Sequence, residues 1–124
     1  MEGKLGALMP RVDMDRERFD RASLLRLLDD DLTLMAELLH LAADMKDRIG
    51  DLGVSIRVND MQSMKANAHK LKGAALGLTF NRLAGLAKRL EESSGTDCDK
   101  LMEIHREMMA EWAELESLIK AELR

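Results

Sequence analysis

From Met35 to Ile56, apolar side chains recur in steps of three and four: Met35, Leu38, Ala42, Met45, Ile49, Leu52 and Ile56. That spacing matches the helical period and gathers all of them on one stripe, the face a helix buries. The same rhythm returns in Met61, Met64, Ala68, Leu71, Ala75 and Leu78. It returns again in Leu83, Leu86, Ala87 and Leu90, and from Leu101 through Ile104, Met108, Trp112, Leu115 and Leu118 to Ile119. A chain patterned this way buries its stripes by packing helix on helix. No competing strand pattern exists, because only Phe19, Phe80 and Trp112 are aromatic and tyrosine is absent.

The punctuation between stripes sets the expected elements. Residues 1–19 hold Pro10 and the charged run DMDRERF without sustained periodicity, and read as an N-terminal arm. Asp20 is placed to cap a short helix, RASLLRLL, and the acidic run at 29–31 to cap a long second helix over roughly 31–57. Gly50 and Gly53 in its far half predict a close helix crossing. Asp60 caps a third helix, Thr79 is the expected N-cap of a fourth that stops at Gly95, and Asp97 or Asp99 starts a fifth running almost to Arg124. Short connections favour antiparallel neighbours. The expected fold is all-α: an antiparallel up-down four-helix bundle over residues 20–124, with a short additional N-terminal helix.

The 124 residues suffice for one domain with a core. A net charge of −4 argues against a nucleic-acid surface. No apolar run approaches the ~20 residues that span a bilayer. A single cysteine, Cys98, fits a reducing compartment, so a cytoplasmic location is expected. Cys98, His40 and His105 lack metal-ligand or catalytic spacing and read as incidental.

One segment, NAHKLKGAALGLTF at 67–80, asks for more than packing. His69 lies beside the core stripe of its helix, on a neighbouring stripe with Lys65, Lys72 and Leu76. Gly73 follows one turn later, although an interior helical glycine costs ~1 kcal/mol relative to alanine. In a hairpin pivoting near Thr79 and Phe80, a rise of ~1.5 Å per residue brings His69 and Glu91 to nearly the same height. A carboxylate there can accept a hydrogen bond from Nδ1–H of His69, which fixes the tautomer and leaves the Nε2 lone pair free. That suits a nucleophilic imidazole. Lys72 can pair with an anionic group at Nε2, and Gly73 lets another protein's backbone come close. No glycine-rich phosphate loop or paired acidic cluster for magnesium accompanies them, so a phosphoryl carrier is expected rather than a kinase.

The segment AHKLKGAALGL, continued to Glu91, resembles the histidine-containing phosphotransfer (HPt) domain of bacterial and fungal phosphorelays. The stretch FDRASLLRLLDDDLTLMAELLHLAADMKDRI is similar to that family's first short helix and long second helix. The resemblance implies that His69 is the phosphoacceptor, Lys72 steadies the phosphoryl group, Glu91 orients the imidazole, and Gly73 makes room for the partner. It implies as partners response-regulator receiver domains, a hybrid sensor histidine kinase, or both. The chain would need no cofactor of its own, with Mg2+ supplied by the receiver. The family usually has glycine ten residues after the histidine, where this chain has Thr79.

Leu34, Leu41 and Leu76, with Lys65 and Lys70, are the expected docking patch around His69, and a monomer is expected. Two alternatives stay open at this point: a non-catalytic module that docks or inhibits a receiver, and a structural helical dimerisation domain.

Overall fold

The computed structural model describes residues 17–94 and 97–124. Residues 17 and 18 are helical, and six helices follow: α1 (Arg21–Leu27), α2 (Leu32–Leu41), α3 (Asp44–Arg57), α4 (Met61–Gly77), α5 (Asn81–Glu91) and α6 (Cys98–Glu122). Among the described residues there are no strands. The expected stop at Gly95, and residues 1–16 of the expected arm, lie outside the described residues.

Side-chain caps start the helices where the sequence supplies short acidic residues. The carboxylates of Asp20, Asp31 and Asp60 accept from the backbone N–H three residues on, at Ser23, Leu34 and Ser63. Asp97, rather than Asp99, caps α6 by accepting from the N–H groups of Asp99 and Lys100. Each such cap satisfies an amide that the helix leaves without a partner, and is worth ~1 kcal/mol.

The helix ends are equally regular. At the close of α4, Phe80 N–H donates to the Ala75 carbonyl and Thr79 N–H to that of Leu76, with Thr79 at φ 62°. This is a Schellman turn, whose pivot residue is left-handed and usually glycine. Asn59 (φ 59°) closes α3 and Asp29 (φ 53°) closes α1 in the same way. Thr79 is therefore the C-terminal pivot of α4 and not the N-cap of α5, a position held by Phe80. A β-branched residue is strained there. Its hydroxyl offsets the strain by donating to the Asp20 carbonyl at 3.0 Å, while Asp20 N–H returns a bond to the Thr79 carbonyl at 3.3 Å.

The expected long second helix is interrupted. Ala42 and Ala43 separate α2 from α3, and Ala43, Met45 and Lys46 donate three residues back instead of four. Each residue in that tighter turn advances about 20° further than in an α-helix, so the buried stripe changes phase across it. Leu39 is accordingly buried, and Leu38, the expected core residue, is only partly covered.

Helices α3 to α6 close a ring in which α3 contacts α4, α4 contacts α5, α5 contacts α6, and α6 returns to α3. The antiparallel sense of α3 and α6 shows in their cross-links, from His105 back to Ile49 and from Cys98 near the helix start to Ile56. Met64, Ala68, Leu71 and Ala75 of α4 face Leu83, Ala87 and Leu90 of α5 and Leu101, Met108, Trp112 and Leu115 of α6 in one buried core. Of the expected α6 stripe, only Leu118 is partly covered. Gly53 makes the predicted close crossing: a Cβ there would stand 2.6 Å from the His105 ring. At Gly50 a Cβ would meet nothing within 4 Å, so no crossing explains it. His105 is not incidental. It is buried, and its Nε2–H donates to the Ile49 carbonyl at 2.7 Å.

The end of the expected arm packs on the bundle. Phe19 meets Phe80 edge to face with ring centroids 5.6 Å apart, and Arg18 Nε donates to both oxygens of Glu111 at 3.1 and 3.0 Å.

Candidate functional site

The α4–α5 hairpin positions the site. Because Ala68, Leu71 and Ala75 fix one face of α4 in the core, His69 emerges at the rim of that face, with its side chain 68% exposed. On α5, Leu90 is buried and its neighbour Glu91 sits at the matching rim. The two meet: His69 Nδ1 lies 2.6 Å from Glu91 Oε1. A carboxylate only accepts hydrogen bonds, so Nδ1 carries the proton and the neutral ring keeps its lone pair on Nε2. Nε2 makes no hydrogen bond to any described residue.

Lys72, one turn on from His69, places Nζ 2.6 Å from the other oxygen, Glu91 Oε2. One carboxylate thus serves two cationic or donor groups. The Lys72 ammonium first, and the His69 hydrogen bond second, hold the Glu91 carboxyl below its ordinary value of 4.5. Sequence reasoning directed Lys72 toward an anion at Nε2; in the structure its resting partner is Glu91. Helical spacing showed that Lys72 follows His69 on one stripe but not that both reach the same acid.

Gly73 is exposed, and a Cβ built on it would meet nothing within 4 Å. The chain's own packing therefore gives no reason for glycine at that point. Lys65 and Lys70 are exposed. The expected apolar patch divides into two flanks of α4. Leu41 shares a groove with Lys70, Arg48 and Ala74 on the α3 side, whereas Leu76 shares one with Lys72 and Lys88 on the α5 side. Leu34 is exposed on α2 and lines neither groove.

A larger hollow of about 490 Å³ lies on the α5–α6 face, away from His69. Its arginines are answered within the chain: Arg18 and Arg82 by Glu111, and Arg89 by Glu107. Glu111 is 4% exposed, and burial pushes its carboxyl above 4.5, with Arg18 pulling the other way. Sequence reading missed this residue, although its spacing three after Met108 and four before Leu115 puts it on the buried stripe. No group of three or more metal-ligating side chains occurs among the described residues, nor is any helix of these long and apolar enough to cross a membrane.

Arranged this way, the site offers an exposed imidazole whose Nδ1 is held by a carboxylate, an ammonium on that same carboxylate, and an exposed glycine one turn along the helix. A family model described as Hpt domain matches residues 21–122. No curated protein and no solved structure shows significant similarity to the chain.

Proposed function

Because the chain belongs to the Hpt domain family, whose members work in phosphotransfer of two-component signalling, we propose that it reversibly carries a phosphoryl group on Nε2 of His69. Its donors and acceptors are aspartates of response-regulator receiver domains, free or within a hybrid sensor histidine kinase. The observation that supports this most strongly is the 2.6 Å bond from His69 Nδ1 to Glu91 on an exposed side chain, which in the neutral ring assigns the free lone pair to Nε2.

In the forward step the Nε2 lone pair attacks the phosphorus of an aspartyl phosphate. An N–P bond forms as the P–O bond to the aspartyl carboxylate breaks, and the bonding pair leaves with that carboxylate. The ring becomes cationic with its proton still on Nδ1, where Glu91 stabilises the charge. Lys72, drawn from Glu91 toward the arriving oxygens, offsets the new negative charge. The reverse step returns the phosphoryl group to another aspartate. In this reading the chain is a covalent carrier and not a kinase, Mg2+ comes with the receiver, and the exchange takes place in the cytoplasm. All the site groups come from α4 and α5 of one chain, so a monomer suffices.

The test is to load a panel of receiver domains with acetyl phosphate and mix each with the chain, with His69→Gln as control. Transfer of an acid-labile, base-stable label that vanishes in the variant is the expected result. Binding without transfer would reassign the chain as a docking module, and self-association without either would favour a dimerisation domain.

A further inference from the structure

In the helix ring, α3 and α6 form the edge opposite the α4–α5 hairpin, so a protein seated on His69 leaves this face free. Two largely apolar hollows lie along it, and Trp112 and Glu116 line both. One, about 360 Å³, runs between α3 and α6, with Lys46, Ile49 and Met109 in its walls. The other, about 180 Å³, continues toward the end of α6 and is walled by Leu39, Ala43, Ile119 and Leu123. We propose that this face binds a second copy of the chain, about a twofold axis that passes over Trp112.

The first observation is an unsatisfied donor. Trp112 is 5% exposed, and its buried Nε1–H has no acceptor. No other buried side-chain donor among the described residues is left so, because the neutral His105 ring, donating through Nε2, has only a lone pair on Nδ1. A buried donor without an acceptor costs about 1–3 kcal/mol. The junction of the two hollows is therefore where an arriving polar group gains most.

The second observation names the occupant. Lys46, on the α3 wall, makes no ion pair among the described residues, and Glu116, on the α6 wall, is only 3.9 Å from Lys120 on its own helix. They stand on opposite walls of one hollow and do not pair with each other. A twofold axis between them exchanges the walls, so Lys46 of each copy meets Glu116 of the other. An isologous contact needs both members of such a pair on one patch, and this patch has them.

The third is shape. Met109, 47% exposed, precedes Trp112 by one turn, whereas the second hollow opens beyond Trp112 on the other side. The same axis lays Met109 of each copy over the apolar second hollow of the other, and a methionine adapts to such a hollow. Ala43, Gly50 and Ala113 keep the walls low enough for the helices to approach. The transfer chemistry stays complete in each chain, and the dimer turns both His69 rings outward.

The test is sedimentation equilibrium of the full chain from about 1 µM to about 1 mM, the range of weak to moderate association. A monomer–dimer equilibrium is expected. Met109→Glu and Ala113→Arg, both at exposed positions, should each raise its dissociation constant by about tenfold or more. Lys46→Glu and Glu116→Lys should each raise it about three- to tenfold, and the two together should restore it, because the exchanged charges pair again across the axis. Leu76→Glu, on the His69 side, should leave it unchanged. Helical content and melting temperature verify that each variant is folded. A wild-type chain still monomeric at the highest concentration would overturn the proposal, as would a dimer indifferent to Met109→Glu and Ala113→Arg. Failure of the double charge exchange to restore association would refute the twofold pairing. None of these readouts depends on phosphoryl transfer, so a chain that dimerises but accepts no label would refute the carrier reading alone.

Discussion

Replacing Gly73 by alanine separates the two demands made on that position. Gly73 is an interior residue of α4, four before its last, and is exposed to solvent. Alanine exceeds glycine there by roughly 0.8–1.0 kcal/mol through lower backbone entropy in the unfolded chain. No further contribution enters, because the new methyl would meet nothing within 4 Å and so neither clashes nor becomes buried. The variant is therefore expected to be more stable by about 1 kcal/mol, a fivefold gain in the folding constant and roughly 3–6 °C in Tm. Phosphoryl transfer from a cognate receiver is expected to fall by about tenfold or more, since the methyl stands one turn from His69 in the path of the partner's backbone. Urea unfolding measures the first quantity, and single-turnover transfer the second. A variant no more stable than wild type would refute the account of α4 packing. One that is stabilised yet transfers at the wild-type rate would refute the claim that the glycine serves close approach.

Glu91→Gln removes the charge that fixes His69, so 15N NMR should show both ring tautomers, and transfer should slow by roughly ten- to a hundredfold; a single Nδ1–H tautomer with an unchanged rate would contradict this. In the wild-type chain the Glu91 carboxyl is depressed below 4.5, so its bonds to Lys72 and His69 contribute fully above that value and are lost only as pH falls through the lower, folded midpoint. Titration of the Glu91 side-chain carbon by NMR should place that midpoint under 4.5, and one at or above it would refute the geometry. Arg18→Ala leaves the buried Glu111 with Arg82 at 3.6 Å as its remaining cation, at a cost of about 2–3 kcal/mol at neutral pH. Glu111 is already raised above 4.5, so protonation favours the folded state; the deficit should shrink as pH falls through the folded midpoint, and a pH-independent deficit in thermal melts would exclude the charge as its cause. Asn59→Gly should stabilise by about 0.5–1 kcal/mol by relieving a left-handed residue, whereas Thr79→Gly should come out near neutral because it also loses the ~1 kcal/mol hydroxyl bond to Asp20. A gain at Thr79 larger than that at Asn59, read from melts, would show that the hydroxyl contributes nothing.

Most of the bundle was legible because α4, α5 and α6 each bury a single unbroken stripe, and a stripe at helical spacing has one physical reading. His69 and Glu91 were legible for a related reason. A hairpin of known pivot and rise fixes which rungs face each other, and both residues flank core positions. Charged side chains at the ends of long stems were not. Periodicity places the Cα atoms of Lys72 and Arg18 but says nothing of where four flexible bonds later the charge comes to rest. It came to rest on Glu91 for one and on Glu111 for the other.

The break at Ala42 and Ala43 escaped for a different reason. Alanine is the strongest helix former, and neither proline nor glycine marks the site. The local sequence favours continuation, and the tighter turn is visible only in its hydrogen bonds and in the shift of burial from Leu38 to Leu39. Thr79 was misplaced by the opposite error, in which a favourable local rule outweighed a topological one. Threonine is a good N-cap, yet a helix that must reverse within three residues needs a left-handed pivot first. The family's customary glycine at that place is the residue such a pivot favours. This chain uses threonine, and the hydroxyl's bond to Asp20 ties the start of α1 to the α4–α5 turn, ten residues from the histidine that the turn positions.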